Sequence, residues 1–288
     1  MAQNIDFTQC ERVPGRAYNG ANGKKIAVRF NGDVWILKFP SDAHDKPNEL
    51  SYSNSCISEH LGSSIFRLLD ITAQETQLGT HVNGKTKLVC ACKDFTTFGV
   101  RLHDFCSIKN TVLDTGSGGG GTELHDILET IQQQSFMNPD EVLTRFWQMF
   151  VVDAWIGNFD RHNGNWGFLV NEQTGETKLA PVFDCGSCLL PQADEHIMRK
   201  CLQNDDEMNA RIYSFPSSMI KIDGRKIGYY EFLHGEHPQE LDVVLLTLLP
   251  HIHSLNIETL IAETNYLNDL QREFYTAYLT ARRQKLFC

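Results

Sequence analysis

Between Gly157 and Leu169 the chain reads GNFDRHNGNWGFL, and Asp160, Arg161, His162, Asn163 and Asn165 fall within one short window between apolar runs. A solvated loop needs no apolar flanks. A buried loop can keep such groups only if they are paired, because each unsatisfied buried polar group costs about 1–3 kcal/mol. The partner must be another part of the chain, a metal or a substrate. The segments that follow, WGFLV and KLAPVF, read as two short strands around Asn171 to Thr177, and the second leads into Asp184. A hairpin brings its two ends together, which predicts that Asn165 and Asp184 lie close in space. Two hard oxygen ligands there suit Mg²⁺, which is often held by few protein groups plus substrate phosphates. Asp160, on the same loop, is placed to accept a proton from an incoming hydroxyl or to orient it.

A base, then a metal Asn, then a metal Asp after a short hairpin is the order kinases use for phosphoryl transfer. The elements needed to position such a set can be sought along the chain. Residues 24–39, KKIAVRFNGDVWILKF, read as two strands around an Asn31-Gly32-Asp33 turn, and residues 75–82 and 86–95 as a second pair joined by Asn83-Gly84. Asn-Gly is a strong hairpin signal. Residues 54–69 read as a helix with Ile57, Leu61, Ile65 and Leu68 or Leu69 on one side. The first 95 residues are therefore expected to form a small mixed β-rich lobe, and residues 96–288 a mainly helical one. The overall class is α+β, two-lobed and protein-kinase-like.

In the second lobe, TGSGGGGT at 115–122 reads as a flexible loop, since glycine loses too much backbone entropy to hold a regular element. Thr122 is expected to cap a helix. Asn138-Pro139 starts another, with proline at its natural first position. That helix carries Leu143, Phe146, Trp147, Phe150, Val151 and Ala154 on a wide apolar face and leads directly into the polar loop. Asp153 on it is expected to brace the loop, and Arg161 to meet a phosphate or a neighbouring acid. From about residue 205 onward the pattern is largely helical.

Alternation in WILKFP sets Trp35 and Leu37 on one strand face and Ile36 and Lys38 on the other. Lys38 could simply snorkel. In a kinase it would reach the α- and β-phosphates and pair with a helix carboxylate, for which Glu59 is the candidate. Asn19-Gly20-Ala21-Asn22-Gly23-Lys24 precedes a strand and is the candidate phosphate loop, although it is neither a Walker A loop nor a G-x-G-x-x-G. The CACKDF segment ends the small lobe where a kinase hinge belongs. Backbone groups of Ala91, Cys92 and Lys93 are expected to bind adenine, with Asp94 or Asp104 on the ribose. Cys90-x-Cys92 and Cys185-x-x-Cys188 could form a four-thiolate zinc site by count, but the first spacer is tighter than in common zinc knuckles.

GNFDRHNGNWGFL followed by PVFDCG resembles the HipA-like serine/threonine kinases, and within them the small stand-alone CtkA-type proinflammatory bacterial kinases. The resemblance extends in outline over IDFTQCE, YNGANGKKIAV, KFP, CACKDFTT and FDCGSCL. It implies an ATP-dependent serine/threonine protein kinase using Mg²⁺. Asp160 matches the catalytic Asp, Asn165 and Asp184 the metal ligands, and Lys38 the ATP-contacting lysine. His162 belongs to the same motif at the nucleotide site, with the expected task of holding the loop by hydrogen bonds. The chain has DRHNGN and DCG in place of the HRD and DFG of ordinary protein kinases. It shows no counterpart of the amino-terminal subdomain of full HipA toxins, which argues against a toxin role and an antitoxin partner.

The implied partner is a protein substrate offering Ser or Thr. A lipid or small-molecule kinase on the same site, or a nucleotide-binding pseudokinase, are the rival classes. The residues from Tyr18 to Lys25 contain no Ser or Thr, so autophosphorylation is expected around the glycine-rich loop, at Ser107, Thr111, Thr115, Ser117 or Thr122, with Ser117 foremost. A net charge of -10 and the lack of a Lys/Arg run argue against a nucleic-acid partner. Nine cysteines in a chain of this length are not a disulfide framework, and reducing surroundings are expected. There is neither an ordinary signal peptide nor an apolar run of about 18 residues to span a membrane. The resemblance implies the bacterial cytoplasm or, by a route without a signal peptide, the host cell.

Overall fold

The computed structural model describes residues 4–14, 25–40, 52–96, 99–113 and 119–288. The phosphate-loop candidate from Asn19 to Lys24, and Thr115 and Ser117, lie outside these residues.

The first lobe is a five-stranded antiparallel sheet with one helix against it. Strands β2 (Lys25–Phe30) and β3 (Asp33–Lys38) turn at Asn31 and Gly32, with φ of 50° and 85°. This left-handed backbone matches the twist of a two-residue hairpin, and Asn and Gly adopt it most readily. Strands β4 (Thr76–Asn83) and β5 (Lys85–Lys93) turn more tightly, with Asn83 opposite Lys85 and Gly84 alone in the left-handed region at φ of 74°. With β1 (Glu11–Arg12) at one edge, the strand order is β1-β2-β3-β5-β4. Period-two alternation gives the sheet two apolar faces. Trp35, Leu37, Val89 and Ala91 pack with Phe7 and Val28 on one face. Ile36, Leu78, Cys90 and Cys92 pack with Cys56 on the other.

Cys56 belongs to helix α1 (Ser55–Leu68), whose Ile57, Leu61, Ile65 and Phe66 join the core of the second lobe together with Leu69 just beyond its end, while Leu68 is 57% exposed. A helix clamped between two cores must be apolar on both sides, and α1 is. Lys38 therefore sits on the sheet face that looks at α1.

The second lobe holds a three-stranded sheet in the order β6-β7-β8, formed by Val100–Asp104, Gly167–Asn171 and Thr177–Leu179. Around it pack α2 (Phe105–Leu113), α3 (Leu124–Gln133) and α4 (Pro139–Ile156). Helix α4 begins as expected, with the Asn138 side chain accepting from the Asp140 amide at 3.0 Å. It ends at Gly157, whose φ of 65° lets its amide return to the Asp153 carbonyl. Next come α5 (Glu195–Gln203), α6 (Asp205–Tyr213), a hairpin of β9 (Ser217–Ile222) and β10 (Arg225–Gly228), then α7 (Tyr229–His234), α8 (Gln239–Ser254), α9 (Ile257–Glu263) and α10 (Asp269–Phe287).

The chain beyond residue 205 is thus less uniformly helical than its periodicity predicts, because the β9–β10 hairpin interrupts it. The short elements β6, α2, α5 and α7 were also not expected. Thr122 does not cap α3. Glu123 occupies that position, and the Thr122 hydroxyl donates to the Met219 carbonyl of β9 at 2.6 Å.

Arg282 of α10 is fully buried. Its Nε donates to the Ala154 and Trp155 carbonyls at 3.0 Å each, and Nη1 to the Arg211 carbonyl at 2.7 Å. The last carbonyls of a helix have no intrahelical donor, and a cation there also opposes the helix dipole. Arg282 thus closes the end of α4 from which the polar loop departs.

Candidate active site

Three charged side chains meet where the two lobes face each other. Lys38 Nζ lies 2.9 Å from Glu59 Oε2 and 2.8 Å from Asp184 Oδ1. Strand β3 delivers the lysine, α1 the glutamate, and the segment after β8 the aspartate. The Glu59 side chain is 2% exposed and that of Asp184 38% exposed. Burial alone would lower the Lys38 pKa, but Asp184 and then Glu59 outweigh it and hold it well above the ordinary lysine value. Lys38 in turn holds the Asp184 carboxyl well below the usual carboxylate range. Asp184 takes φ of 58°, a conformation uncommon outside glycine, which turns its side chain out of the strand direction. Gly186 passes so close that a Cβ there would lie 3.1 Å from Glu59 Oε2.

The polar loop is fastened from below. Arg161 Nε and Nη2 donate to the two Asp153 carboxylate oxygens at 2.8 and 3.2 Å, a bidentate pair deep in the lobe. Arg161 Nη1 donates to the Asn165 carbonyl at 3.2 Å and also to the Phe183 carbonyl. One nitrogen therefore ties the Asn165 end of the loop to the residue before Asp184, the juxtaposition predicted from the hairpin. Arg161 thus meets an acid and not a phosphate, but the acid is Asp153 of α4 and not Asp160 beside it, and the three guanidinium nitrogens are all engaged. Asn158 Nδ2 also donates to Asp153, at 2.9 Å, and Tyr229 donates to the Asn158 carbonyl at 2.5 Å.

His162 accepts the Gly164 amide on Nδ1 at 3.0 Å and so opens the 3₁₀ turn Asn163–Asn165. Asn165 Nδ2 donates to the Asp160 carbonyl at 2.9 Å, which fixes the amide and leaves Oδ1 as the other end of the side chain. Among the described residues no hydrogen bond or ion pair ends on the Asp160 carboxylate. Burial pushes its pKa up, and the nearby Asp184 charge adds to this.

The sequence gives no sign of the clamp on the other side of the loop. Asn163, 2% exposed, donates from Nδ2 to the Gly119 and Gly121 carbonyls at 2.9 Å each. The buried Lys109 of α2 also reaches the Gly121 carbonyl, at 2.8 Å, together with Asp126 at 3.0 Å. The end of the glycine-rich stretch is therefore structural. The β9–β10 hairpin beside the loop did carry a sequence signal, Asp223-Gly224, of the same kind as Asn31-Gly32.

The expected hinge requires correction. Strand β5 lies between β3 and β4, where Ala91 is opposite Leu37 on one side and Gln77 on the other, and Cys92 is opposite Ile36 and Thr76. The Lys93 amide donates to the Glu75 carbonyl at 2.8 Å, and its carbonyl accepts from Gln74 Nε2 at 2.9 Å. A central strand has no backbone groups to spare, so Ala91, Cys92 and Lys93 cannot offer theirs to a base. Asp94 Oδ1 accepts from the Thr96 amide at 2.8 Å, and Asp104 Oδ1 from the Ser107 amide at 2.8 Å, so both ribose candidates are partly committed to local turns.

The four-thiolate set is not assembled either. Cys90 and Cys92 lie in the cluster between sheet and α1, whereas Cys185 and Cys188 lie in the core of the second lobe. Burial pushes the Cys185 thiol up to about 12, which makes it a poor nucleophile and a poor half of a redox pair.

The donor set fits Mg²⁺ by its chemistry. Asn165 Oδ1 and the Asp184 carboxylate are hard oxygens on two segments held together by one arginine, the small complement that this ion takes alongside phosphates.

Comparison with known proteins bears on this arrangement. Residues 17–228 match the family model described as HipA-like C-terminal domain. The serine/threonine-protein kinase CtkA of Helicobacter pylori strain J99 is 44% identical over 286 residues, covering 98% of this chain and 86% of that protein. The crystal structure of a Helicobacter pylori proinflammatory kinase CtkA superimposes with a TM-score of 0.90 at 43% identity, covering 99% of this chain and 95% of that one. HipA of Shewanella oneidensis MR-1, solved with HipB and operator DNA, shares the fold at a TM-score of 0.55 and 13% identity, covering 99% of this chain and 72% of that one. The two-lobed chain, homologous along nearly its whole length to a serine/threonine kinase, belongs to the HipA-like family.

Proposed function

We propose that the protein is an ATP-dependent serine/threonine protein kinase. The observation that carries this reading is the Lys38–Glu59–Asp184 cluster facing a loop on which Arg161 holds the Asn165 carbonyl and Asn165 in turn holds the Asp160 carbonyl. Lys38, fixed between two carboxylates and cationic at any physiological pH, would hold the phosphates of ATP. Glu59 orients that lysine. Asp184 and Asn165 would hold Mg²⁺, which when bound supplies positive charge against the phosphate oxygens. Asp160 would accept the hydrogen bond of the acceptor hydroxyl and align its oxygen with the γ-phosphate, taking the proton as the new oxygen–phosphorus bond forms and the bond from that phosphorus to the leaving ADP oxygen breaks. A raised carboxyl pKa makes Asp160 a better proton acceptor than a solvated aspartate.

Thr122 is 5% exposed and its hydroxyl is engaged with Met219, which argues against it as an autophosphorylation site. Ser107 and Thr111 are exposed on α2 and remain candidates. The test is incubation with γ-labelled ATP and Mg²⁺ against protein, phosphoinositide and small-molecule acceptors, followed by intact mass and site mapping. Transfer to Ser or Thr of a protein, lost in Asp160→Ala, is the expected result. Transfer only to lipid or small molecule, or nucleotide binding without turnover, would overturn it.

A further inference from the structure

The residue before Asp160 is Phe159, and its ring does not enter the core of the lobe. It lies 5.4 Å from the Phe215 ring at 38° and 6.3 Å from the Tyr52 ring at 50°. The three come from separate places: the segment leading into α1, the catalytic loop, and the turn between α6 and β9. Backbone bonds fix two of these segments. The Ser55 amide donates to the Tyr52 carbonyl at 3.1 Å, and the Phe215 amide to the Ala210 carbonyl at 3.0 Å; next to Phe215, Pro216 lies so close to Gly157 that a Cβ on that glycine would meet its Cγ at 2.9 Å. Phe215 is 42% exposed, one of seven large hydrophobic residues so exposed among the described residues. The other six lie on helices α1, α6 and α8 or strands β4 and β9. Phe215 alone of them stacks on the residue adjoining Asp160.

An aromatic surface left half in water beside a reacting group has a use if something apolar arrives with the substrate. We propose that Tyr52, Phe159 and Phe215 form a recognition shelf for a bulky apolar side chain close to the acceptor Ser or Thr of an extended protein segment. The proposal rests on the kinase reading and names its substrate class. Continuity with the site selects the occupant. Phe159 and Asp160 are consecutive, their Cα atoms about 3.8 Å apart, so the shelf begins at the residue next to the proposed base. In an extended peptide, side chains two residues apart share a face and are separated by roughly 7 Å. A serine presented to Asp160 therefore offers its second neighbour, before or after, to the same wall. A leucine or phenylalanine there removes its own surface and that of Phe215 from water, while an aspartate gains nothing.

The experiment uses peptides that differ only two residues before or after a single serine, carrying leucine or aspartate, with ATP and Mg²⁺. The wild type should prefer leucine at one of these places by about tenfold or more in kcat/KM, mostly through KM, a discrimination typical of one apolar side chain in an apolar site. In Phe215→Ala the ratio should fall toward one, and in Phe215→Leu it should largely return, with the KM for ATP as internal control. A wild-type ratio near one, or an unchanged ratio in Phe215→Ala, overturns the shelf. Self-association abolished by Phe215→Ala, seen by sedimentation, would also overturn it, by making the shelf a contact between copies. If the wild type transfers phosphate to no protein or peptide, the kinase reading falls first and the shelf with it. If it transfers but does not discriminate, the shelf alone falls.

Discussion

Replacing Lys38 by methionine separates the stability of the site from its chemistry. The lysine neutralises Glu59, whose side chain is 2% exposed and whose Oε1 has no hydrogen-bond partner among the described residues. Removing one member of a buried ion pair costs about 3–5 kcal/mol, because the other charge stays behind unpaired. Asp184 adds little, since at 38% exposure it keeps contact with water and the pair is worth up to about 1 kcal/mol. At roughly 2 °C per kcal/mol for a chain of this length, Lys38→Met should melt about 6–10 °C below the wild type. Lys38→Met combined with Glu59→Leu removes both charges and should recover all but about 1 kcal/mol, since apolar replacement of a whole buried pair is near neutral. Both proteins should be inactive. Urea midpoints without nucleotide, read beside the thermal melts, measure the difference. A single variant as stable as the wild type, or a double variant no more stable than the single, would refute the idea that Glu59 depends on Lys38 for its burial.

Asp160, whose pKa burial has raised, is more easily protonated in the folded state than in the unfolded one, so its ionisation subtracts stability as pH rises through the window between those values. Asp160→Asn should therefore melt above the wild type at pH 7, with the gap closing below the ordinary aspartate range; a lower melting temperature at pH 7 contradicts this. The same shift should displace the acidic limb of kcat/KM to higher pH than an unperturbed aspartate gives. Arg161→Lys keeps the charge but loses the fork that joins Asp153, Asn165 and Phe183. Turnover should fall by about 100-fold, the scale of a misplacement near 1 Å, with a smaller loss of stability than in Arg161→Met; equal stability in the two would count against the carbonyl contacts. Gly186→Ala places a methyl 3.1 Å from Glu59 Oε2, which Lys38 prevents from moving freely. ATP affinity by calorimetry should drop in that variant, and unchanged affinity would show that the pair can shift.

The parts legible in the sequence were those built from near neighbours. The Asn31-Gly32 and Asn83-Gly84 turns announce left-handed backbone in the residues themselves. Asn138-Pro139 carries its own cap, and a buried Asp153 at the end of an apolar helix could be expected to brace the loop that follows, though its pairing with Arg161 was not foreseen. The junction of Asn165 with Asp184 could be inferred because a short hairpin leaves little choice. What was missed depends on strand order and distant partners. That β5 is central rather than at an edge follows from its pairing with both β3 and β4, and only this rules out adenine binding by Ala91 to Lys93. Thr122 has the chemistry of a cap but spends its hydroxyl on Met219, in a strand far along the chain. The Asn163 contacts to Gly119 and Gly121 likewise join segments whose spacing gives no hint of the contact.

The buried guanidinium of Arg282 has a consequence for timing during synthesis. The residues proposed to bind and transfer phosphate are all translated by Asp184, but the Ala154 and Trp155 carbonyls, at the end of α4 that carries their loop, are met by a side chain translated 98 residues later (282 minus 184). At about 5–20 residues per second that interval lasts roughly 5–20 s. A nascent chain would hold every catalytic group while these two carbonyls still lacked the guanidinium. The last turn of α4 would be complete only when α10 docked, so a chain interrupted before Arg282 would keep its site residues and lack part of the scaffold that aims them.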